Sequence, residues 1–163
     1  MTRVAAIDCG TNSVRLLVAD AERKEDGSIY LKDLTRQMRI VRLGQGVDKT
    51  GRLDPAAIDR TIDAIVEYER MISRLGATAT RFVATSASRD AENRDDFVAA
   101  VREVLNIEPE VVEGTEEASL SFVGAVSGLG AAATAPMLVV DIGGGSTELV
   151  LGDSEVRQAI SID

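Results

Sequence analysis

The residues of this chain best suited to chemistry come as a repeated pattern. Sliding the sequence on itself by 133 positions lays IDCGTNSVRLLV (Ile7 to Val18) over VDIGGGSTELVL (Val140 to Leu151). Asp8 then falls on Asp141, Gly10 on Gly143, Ser13 on Ser146 and Leu16 on Leu149. Each copy reads as strand, Asp-x-Gly, small polar turn, strand. Such a hairpin lets backbone N–H groups approach an anion with no Cβ in the way, as a phosphate-cradling nest does. The aspartate at the end of the first strand is placed to hold a hydrated metal ion or to orient water. One copy alone reads as a Gly-rich β-turn, but turn chemistry does not call for the same Asp-x-Gly-x-x-Ser order twice. Two such hairpins facing each other would grip a phosphate chain from both sides. Dinucleotide binding of the Rossmann type is disfavoured, because strand-forming ELVL rather than a helix follows the glycines, and the absence of Gly-Lys-Ser/Thr excludes a Walker A loop.

The chain has no histidine and one cysteine. Ser-His-Asp and Cys-His hydrolase arrangements and His-bearing zinc sites are therefore excluded for chemistry carried by this chain alone. A nucleophile or base must come from carboxylates, hydroxyls, lysine, or water on a hard metal. Cys9, between Asp8 and Gly10, reads as a small buried side chain without chemistry, and Met38, Met71 and Met137 read as core filling.

The elements that must position these residues follow from periodicity. Val4 to Asp8, Val14 to Asp20 and Ile29 to Leu43 read as three strands of an antiparallel meander, with a reversal at KEDGS. On the third strand Arg36 and Arg42 share a face and Arg39 points away, a pattern that protects a sheet edge. Asp54-Pro55 opens a helix as N-cap and first helical residue, with Ile58, Ile62, Ile65, Ile72 and Leu75 on one face until Gly76. Arg81 to Thr85 is a strand. Asn93 caps a second helix with Asp95 and Asp96 in its first turn and Phe97, Val101, Val104 and Leu105 inward. Glu110 to Glu113 is a brief strand, and Thr115 caps a third helix running to about Leu129. The small-residue connector GLGAAATAP (128–136) leads to three more strands, Met137 to Ile142, Glu148 to Leu151 and Glu155 to Ile160. The order βββαβαβα followed by βββ is mixed α/β.

With 163 residues, 45% of them apolar and 28% charged, the composition is that of a folded domain. Net charge is −9, yet residues 1–52 carry 10 Lys/Arg against 7 Asp/Glu. A nucleic-acid stripe is not the natural reading. The lone cysteine, the lack of a signal-peptide layout at MTRVAAID and the absence of an apolar run near 18 residues together lead us to expect a cytoplasmic protein without nucleic-acid or membrane partners.

Asp8-x-Gly10-Thr11-Asn12-Ser13 and Asp141-Ile142-Gly143-Gly144-Gly145-Ser146-Thr147-Glu148 resemble the two phosphate loops of the actin, sugar kinase and heat-shock ATPase superfamily. More narrowly, DIGGGSTE, VRLGQGVD (Val41 to Asp48), ATSASRDA (Ala84 to Ala91) and EGTEEA (Glu113 to Ala118) resemble, in order and approximate spacing, the exopolyphosphatase and guanosine pentaphosphate phosphatase family. The resemblance implies a ribonuclease H-like, actin-like α/β lobe over 1–127 with a mixed central sheet, then a connector and the opening strands of a second, similar lobe over 128–163. It implies that Gly10, Thr11, Asn12, Ser13, Gly143, Gly144, Gly145, Ser146 and Thr147 bind phosphate, and that Arg89 faces the phosphate channel. Glu117 is implied as the base that activates water, Asp141 and Glu148 as metal and water-orienting carboxylates, and Mg²⁺ as the ion, with Asp8 a further candidate ligand. Without the resemblance, Glu116 and Glu117 read as acids favouring a helix dipole, Glu148 as a solvated strand residue, and Arg89 as a surface arginine paired with Asp90 or Glu92.

The implied reaction is Mg²⁺-assisted hydrolysis of a phosphoanhydride, releasing the end phosphate of inorganic polyphosphate or of guanosine pentaphosphate. A kinase-like phosphotransferase and a non-catalytic phosphate or alarmone sensor are the alternatives. Members of that family have two lobes of similar size, so the chain is expected to be a fragment with little activity of its own and with strand edges that favour a homodimer. The −9 charge likewise leads us to expect that the basic path for a long polyanion comes partly from sequence outside this chain.

Overall fold

In the computed structural model, which describes residues 1–25, 27–129 and 134–162, the chain divides into two units, Met1–Val111 and Val112–Asp163. The first unit holds β1 (Thr2–Cys9), β2 (Ser13–Arg23), β3 (Ile29–Ile40), α1 (Val47–Thr50), α2 (Pro55–Leu75), β4 (Ala79–Ala84), α3 (Ser86–Arg89), α4 (Arg94–Leu105) and β5 (Glu110–Val111). Its five strands lie in the order β3-β2-β1-β4-β5. The first three form the antiparallel meander, while β4 runs parallel to β1 and β5 parallel to β4.

Alternation decides which face is covered. Ala5, Ile7 and Cys9 of β1, Val14, Leu16 and Val18 of β2, and Phe82 and Ala84 of β4 are buried on one side of the sheet. They pack with Ile65, Tyr68 and Ile72 of α2 and Phe97 and Val101 of α4 in one core. Two buried polar residues of α2 lie outside the expected apolar face. Tyr68 donates its hydroxyl to the Val14 carbonyl at 3.0 Å, and Thr61 returns its own to Ala57 O at 2.7 Å. Across the sheet, Arg3 binds Asp20 through Nε at 2.7 Å and Nη2 at 3.1 Å, and its Nη1 reaches Leu75 O at the end of α2 at 2.7 Å.

Asp54 accepts from the N–H groups of Ala56 and Ala57 while Pro55 begins α2, and Gly76 ends it in the left-handed conformation, as the sequence predicts. Other expectations are corrected. β3 stops at Ile40, and Arg42 sits in a turn with φ 52°, so Arg36 and Arg42 do not share a strand face. β3 is the sheet edge, where Arg36 binds Asp33 and Arg39 binds Glu67 of α2. Met38 on that edge is 59% exposed rather than core, whereas Met71 packs against the core. Asn93 precedes α4 but gives it no side-chain cap. Its amide clasps the backbone of Leu53 instead, N–H to Oδ1 at 2.8 Å and Nδ2 to O at 3.1 Å.

The second unit holds α5 (Gly114–Leu129), β6 (Met137–Ile142), β7 (Thr147–Gly152) and β8 (Val156–Ile162), with the strands in an antiparallel meander. α5 begins one residue before Thr115, which therefore lies inside its first turn rather than capping it. Ala118, Phe122 and Val150 form the buried centre, with Val126, Met137, Val139, Val156 and Ala159 around it. α5, placed with 1–127 from the sequence, shares a core with β6–β8, and the two compact units meet after Val111. The connector 128–136 lies in part outside the described residues. The face of the sheet turned away from α5 carries exposed Leu138, Val140, Ile142, Ile160 and Ile162. Among the described residues no helix is long and apolar enough to cross a membrane.

Two outcomes follow. Asp54→Ala is expected to lower stability by about 1 kcal/mol through loss of the cap, read from urea unfolding. The Arg3 guanidinium, by hydrogen bonding, holds the Asp20 carboxyl below its ordinary range. A lowered folded-state pKa contributes stability above the ordinary carboxylate value of about 4 and loses it as pH falls through the folded value. The advantage of the natural protein over Asp20→Asn, measured as the difference in urea midpoint, should therefore be present at neutral pH and disappear in acid.

Candidate functional site

In the first unit three segments meet at the turn between β1 and β2. Gly10 N–H donates to Ser13 O at 3.0 Å and closes the turn. The loop's own carbonyls are taken from the other side: Asn12 O accepts from the N–H groups of Val41 and Arg42, and Thr11 O from Gly44, each at 2.9 Å. Among the described residues the N–H groups of Thr11 and Asn12 have no backbone acceptor, so they remain available to an anion. The Val41 segment is itself braced by Arg60 of α2, whose Nε donates to Val41 O at 3.2 Å.

β4 supplies the floor. Thr85 N–H donates to Cys9 O at 3.2 Å, and Thr11 Oγ1 lies 2.8 Å from Ser86 Oγ. Thr85, Ser86 and Ser88 are buried, and Ser88 Oγ has no hydrogen-bond partner among the described residues. Gly44 has room for no side chain, because a Cβ there would stand 2.4 Å from Thr11 Cγ2. The stretch expected as a loop at Thr85 to Asp90 contains the single turn α3, and Arg89 at its end has a side chain only 14% exposed, 3.4 Å from Asp90. Cys9 is buried, and burial pushes its thiol well above its ordinary value, which keeps it out of thiolate chemistry. Asp8 is exposed on the opposite face of the sheet, 3.7 Å from Arg15, its cross-strand partner.

In the second unit the same turn is built again. Gly143 N–H donates to Ser146 O at 2.9 Å, the counterpart of Gly10 to Ser13, and Gly144 and Gly145 also lack backbone acceptors for their N–H groups among the described residues. Asp141 at the end of β6 stands directly opposite Glu148 on β7. Ser121 of α5 donates to Asp141 Oδ2, and Ser161 of β8 donates to Glu148 Oε1 at 2.9 Å. Glu148, expected as a solvated residue on sequence alone, is 1% exposed. Glu117 lies one helical turn before Ser121 on the same strip of α5, half-buried, with Oε2 out of contact with solvent.

Facing carboxylates repel across a sheet, and a buried one needs compensation. Among the described residues neither Asp141 nor Glu148 has an ion pair with a basic side chain; each accepts from a serine hydroxyl instead. Two hard-oxygen ligands suit Mg²⁺, which commonly takes one or two carboxylates and completes its shell with water and phosphate oxygens. No three His, Cys, Asp or Glu residues among those described gather closely enough to hold an ion by themselves. The structure thus brings together Asp141, Glu148 and the Gly143–Thr147 loop in one unit, and Gly10–Ser13 in the other. Gly44 and Ser86 lie inside the VRLGQGVD and ATSASRDA motifs without a role of their own in the sequence, and Ser121 and Ser161 lie outside every motif; the signal for Ser121 is its i+4 spacing from Glu117.

Residues 21–163 match the Ppx/GppA phosphatase family. Over its whole length the chain is 53% identical to exopolyphosphatase 2 of Mycobacterium tuberculosis, spanning 52% of that protein. It is 39% identical over 149 residues to a guanosine-5'-triphosphate,3'-diphosphate pyrophosphatase of Aeromonas hydrophila, covering 91% of this chain and 29% of that one. A solved exopolyphosphatase-like protein superposes with a TM-score of 0.89 at 46% identity, over 98% of this chain and 50% of that one. The chain therefore spans about half the length of the M. tuberculosis relative.

The two turns differ in one testable respect. A Cβ at Gly143 would lie 2.8 Å from Ser146 O, whereas one at Gly10 would lie 3.6 Å from Ser13 O, an ordinary contact. Gly143→Ala is expected to cost about 1–3 kcal/mol as the turn shifts, and Gly10→Ala clearly less, by urea unfolding of both variants.

Proposed function

The chain belongs to the Ppx/GppA phosphatase family, and from that premise we propose that it is the phosphate-gripping part of a phosphoanhydride hydrolase. The substrate is inorganic polyphosphate, guanosine pentaphosphate, or both, and the product is the end phosphate. One observation carries the reading: the same turn is built twice, Gly10 to Ser13 and Gly143 to Ser146, each with an aspartate two residues before its glycine. The names of the M. tuberculosis and Aeromonas relatives support the two substrates.

Phosphoryl transfer needs positioning and charge stabilisation more than covalent chemistry, so a chain without histidine can serve. Backbone N–H groups of Thr11, Asn12, Gly144 and Gly145 take phosphate oxygens, and the glycines keep Cβ atoms from the approach. Arg89 neutralises charge on the phosphoryl group bidentately. Glu117, half-buried on α5, accepts the proton of the attacking water. Asp141 and Glu148 are the residues that would hold Mg²⁺, whereas Asp8 is engaged by Arg15; the ion would supply charge neutralisation on the phosphate oxygens when bound. The compartment is the cytoplasm, and the assembly is a homodimer formed through strand edges.

The test is phosphate release from polyphosphate and from guanosine pentaphosphate, with Mg²⁺ and with EDTA, by this chain alone and by a chimera carrying the remainder of the M. tuberculosis relative. Turnover that needs the metal and the added half is the expected result. In the active protein, Glu117→Gln should lower kcat by about 10²–10⁴-fold with polyphosphate binding retained. Unchanged turnover would remove Glu117 from the mechanism.

A further inference from the structure

Asp141 and Glu148 occupy an arrangement that a fold does not adopt without reason. They stand directly opposite on β6 and β7, where like charges destabilise a sheet, and Glu148 is 1% exposed. Among the described residues the groups that meet them are hydroxyls rather than lysine or arginine: Ser121 Oγ on Asp141 Oδ2 and Ser161 Oγ on Glu148 Oε1 at 2.9 Å. The two serines come from different elements, Ser121 from α5 packed on the sheet and Ser161 from β8 beside β7. Ser161 is the register partner of Glu148 on β8. A hydroxyl has a single proton to give. Spent on one carboxylate oxygen, it fixes the plane of the carboxylate and leaves the other oxygen's lone pairs for a cation, without bringing a positive charge that would compete with one.

We propose that Ser121 and Ser161 are positioning residues whose hydroxyls orient Asp141 and Glu148 for Mg²⁺, so that the site is completed by four segments of the second unit rather than by two carboxylates. The proposal deepens the reading above and rests on it. Partners that orient metal ligands typically change metal affinity or activity by about 10–100-fold when removed. Both serines lie outside the apolar centre of the unit, which is formed by Ala118, Phe122 and Val150.

The test is calorimetric binding of tripolyphosphate to this chain at increasing Mg²⁺, giving the half-saturating metal concentration. The variants are Ser121→Ala, Ser161→Ala, the hydroxyl-retaining Ser121→Thr and Ser161→Thr, and Asp141→Asn, with thermal unfolding to establish that each is folded. Each alanine variant is expected to need at least about 10-fold more Mg²⁺, with binding in EDTA unchanged, and the corresponding threonine variant is expected to recover most of that loss. If Asp141→Asn shifts the metal dependence while folded alanine variants do not, the serines are not positioning residues and the carboxylate reading survives. If the threonine variants fall as far as alanine, the hydroxyl is not the acting group and the proposal fails. If the natural chain shows no metal dependence at all, the carboxylate reading fails and takes this inference with it. Should Ser161→Ala not fold, Ser121→Ala decides the matter alone.

Discussion

The carbonyl oxygens of Thr11 and Asn12 have to be satisfied from within the protein if the N–H groups of the same loop are to face outward, and the first unit is organised around that requirement. A tight turn cannot satisfy its own polar groups in both directions. Val41, Arg42 and Gly44 supply the donors, Arg60 of α2 braces their segment, and Thr11 is tied to Ser86 beneath. The close approach explains why position 44 is glycine: any side chain would displace the Thr11 methyl that packs there. The VRLGQGVD and ATSASRDA stretches thus both support the turn between β1 and β2, which the chain assembles from three places.

The second unit solves the same problem with different parts. Its turn repeats the Gly N–H to Ser O bond, but the strands that flank it carry acids on one face where the first unit has Asp8 opposite Arg15. Asp8 faces an arginine across the strands, whereas Asp141 faces Glu148 and, among the described residues, has only a serine hydroxyl as its side-chain partner. That cross-strand difference is what distinguishes the two turns electrostatically: acid opposite base in the first unit, acid opposite acid in the second. It also gives α5 a chemical as well as a structural task, since Phe122 anchors the helix to the sheet while Ser121, its neighbour in sequence, points to the acid pair.

The uneven charge of the chain fits this division of labour. The net −9 would repel a polyanion at long range, but screening at physiological salt confines such repulsion to about 8 Å. Within that distance what matters is the local set of donors. Backbone N–H groups carry no net charge that salt or pH removes.

Much of this protein is determined by sequence alone, because the signals are local. Periodicity marks the strands and α2, the Asp54-Pro55 cap and Gly76 fix that helix's ends, and the repeated Asp-x-Gly-x-x-Ser points to two equivalent turns. Tertiary structure decided what depends on partners distant in the chain. Asn93 has the composition of a cap, yet its amide is used on Leu53, forty residues away. Met38 has the composition of core but lies on a sheet edge. Glu148 looks like a solvated strand residue until β8 and α5 cover it, and Ser161 acquires a role only through register. α5 belongs to the second unit because its apolar strip packs on Val150 and Met137. Local preference is set by each residue's own conformational limits, but burial and pairing are set by which surfaces meet, and one sequence read in order does not contain that until the chain is folded.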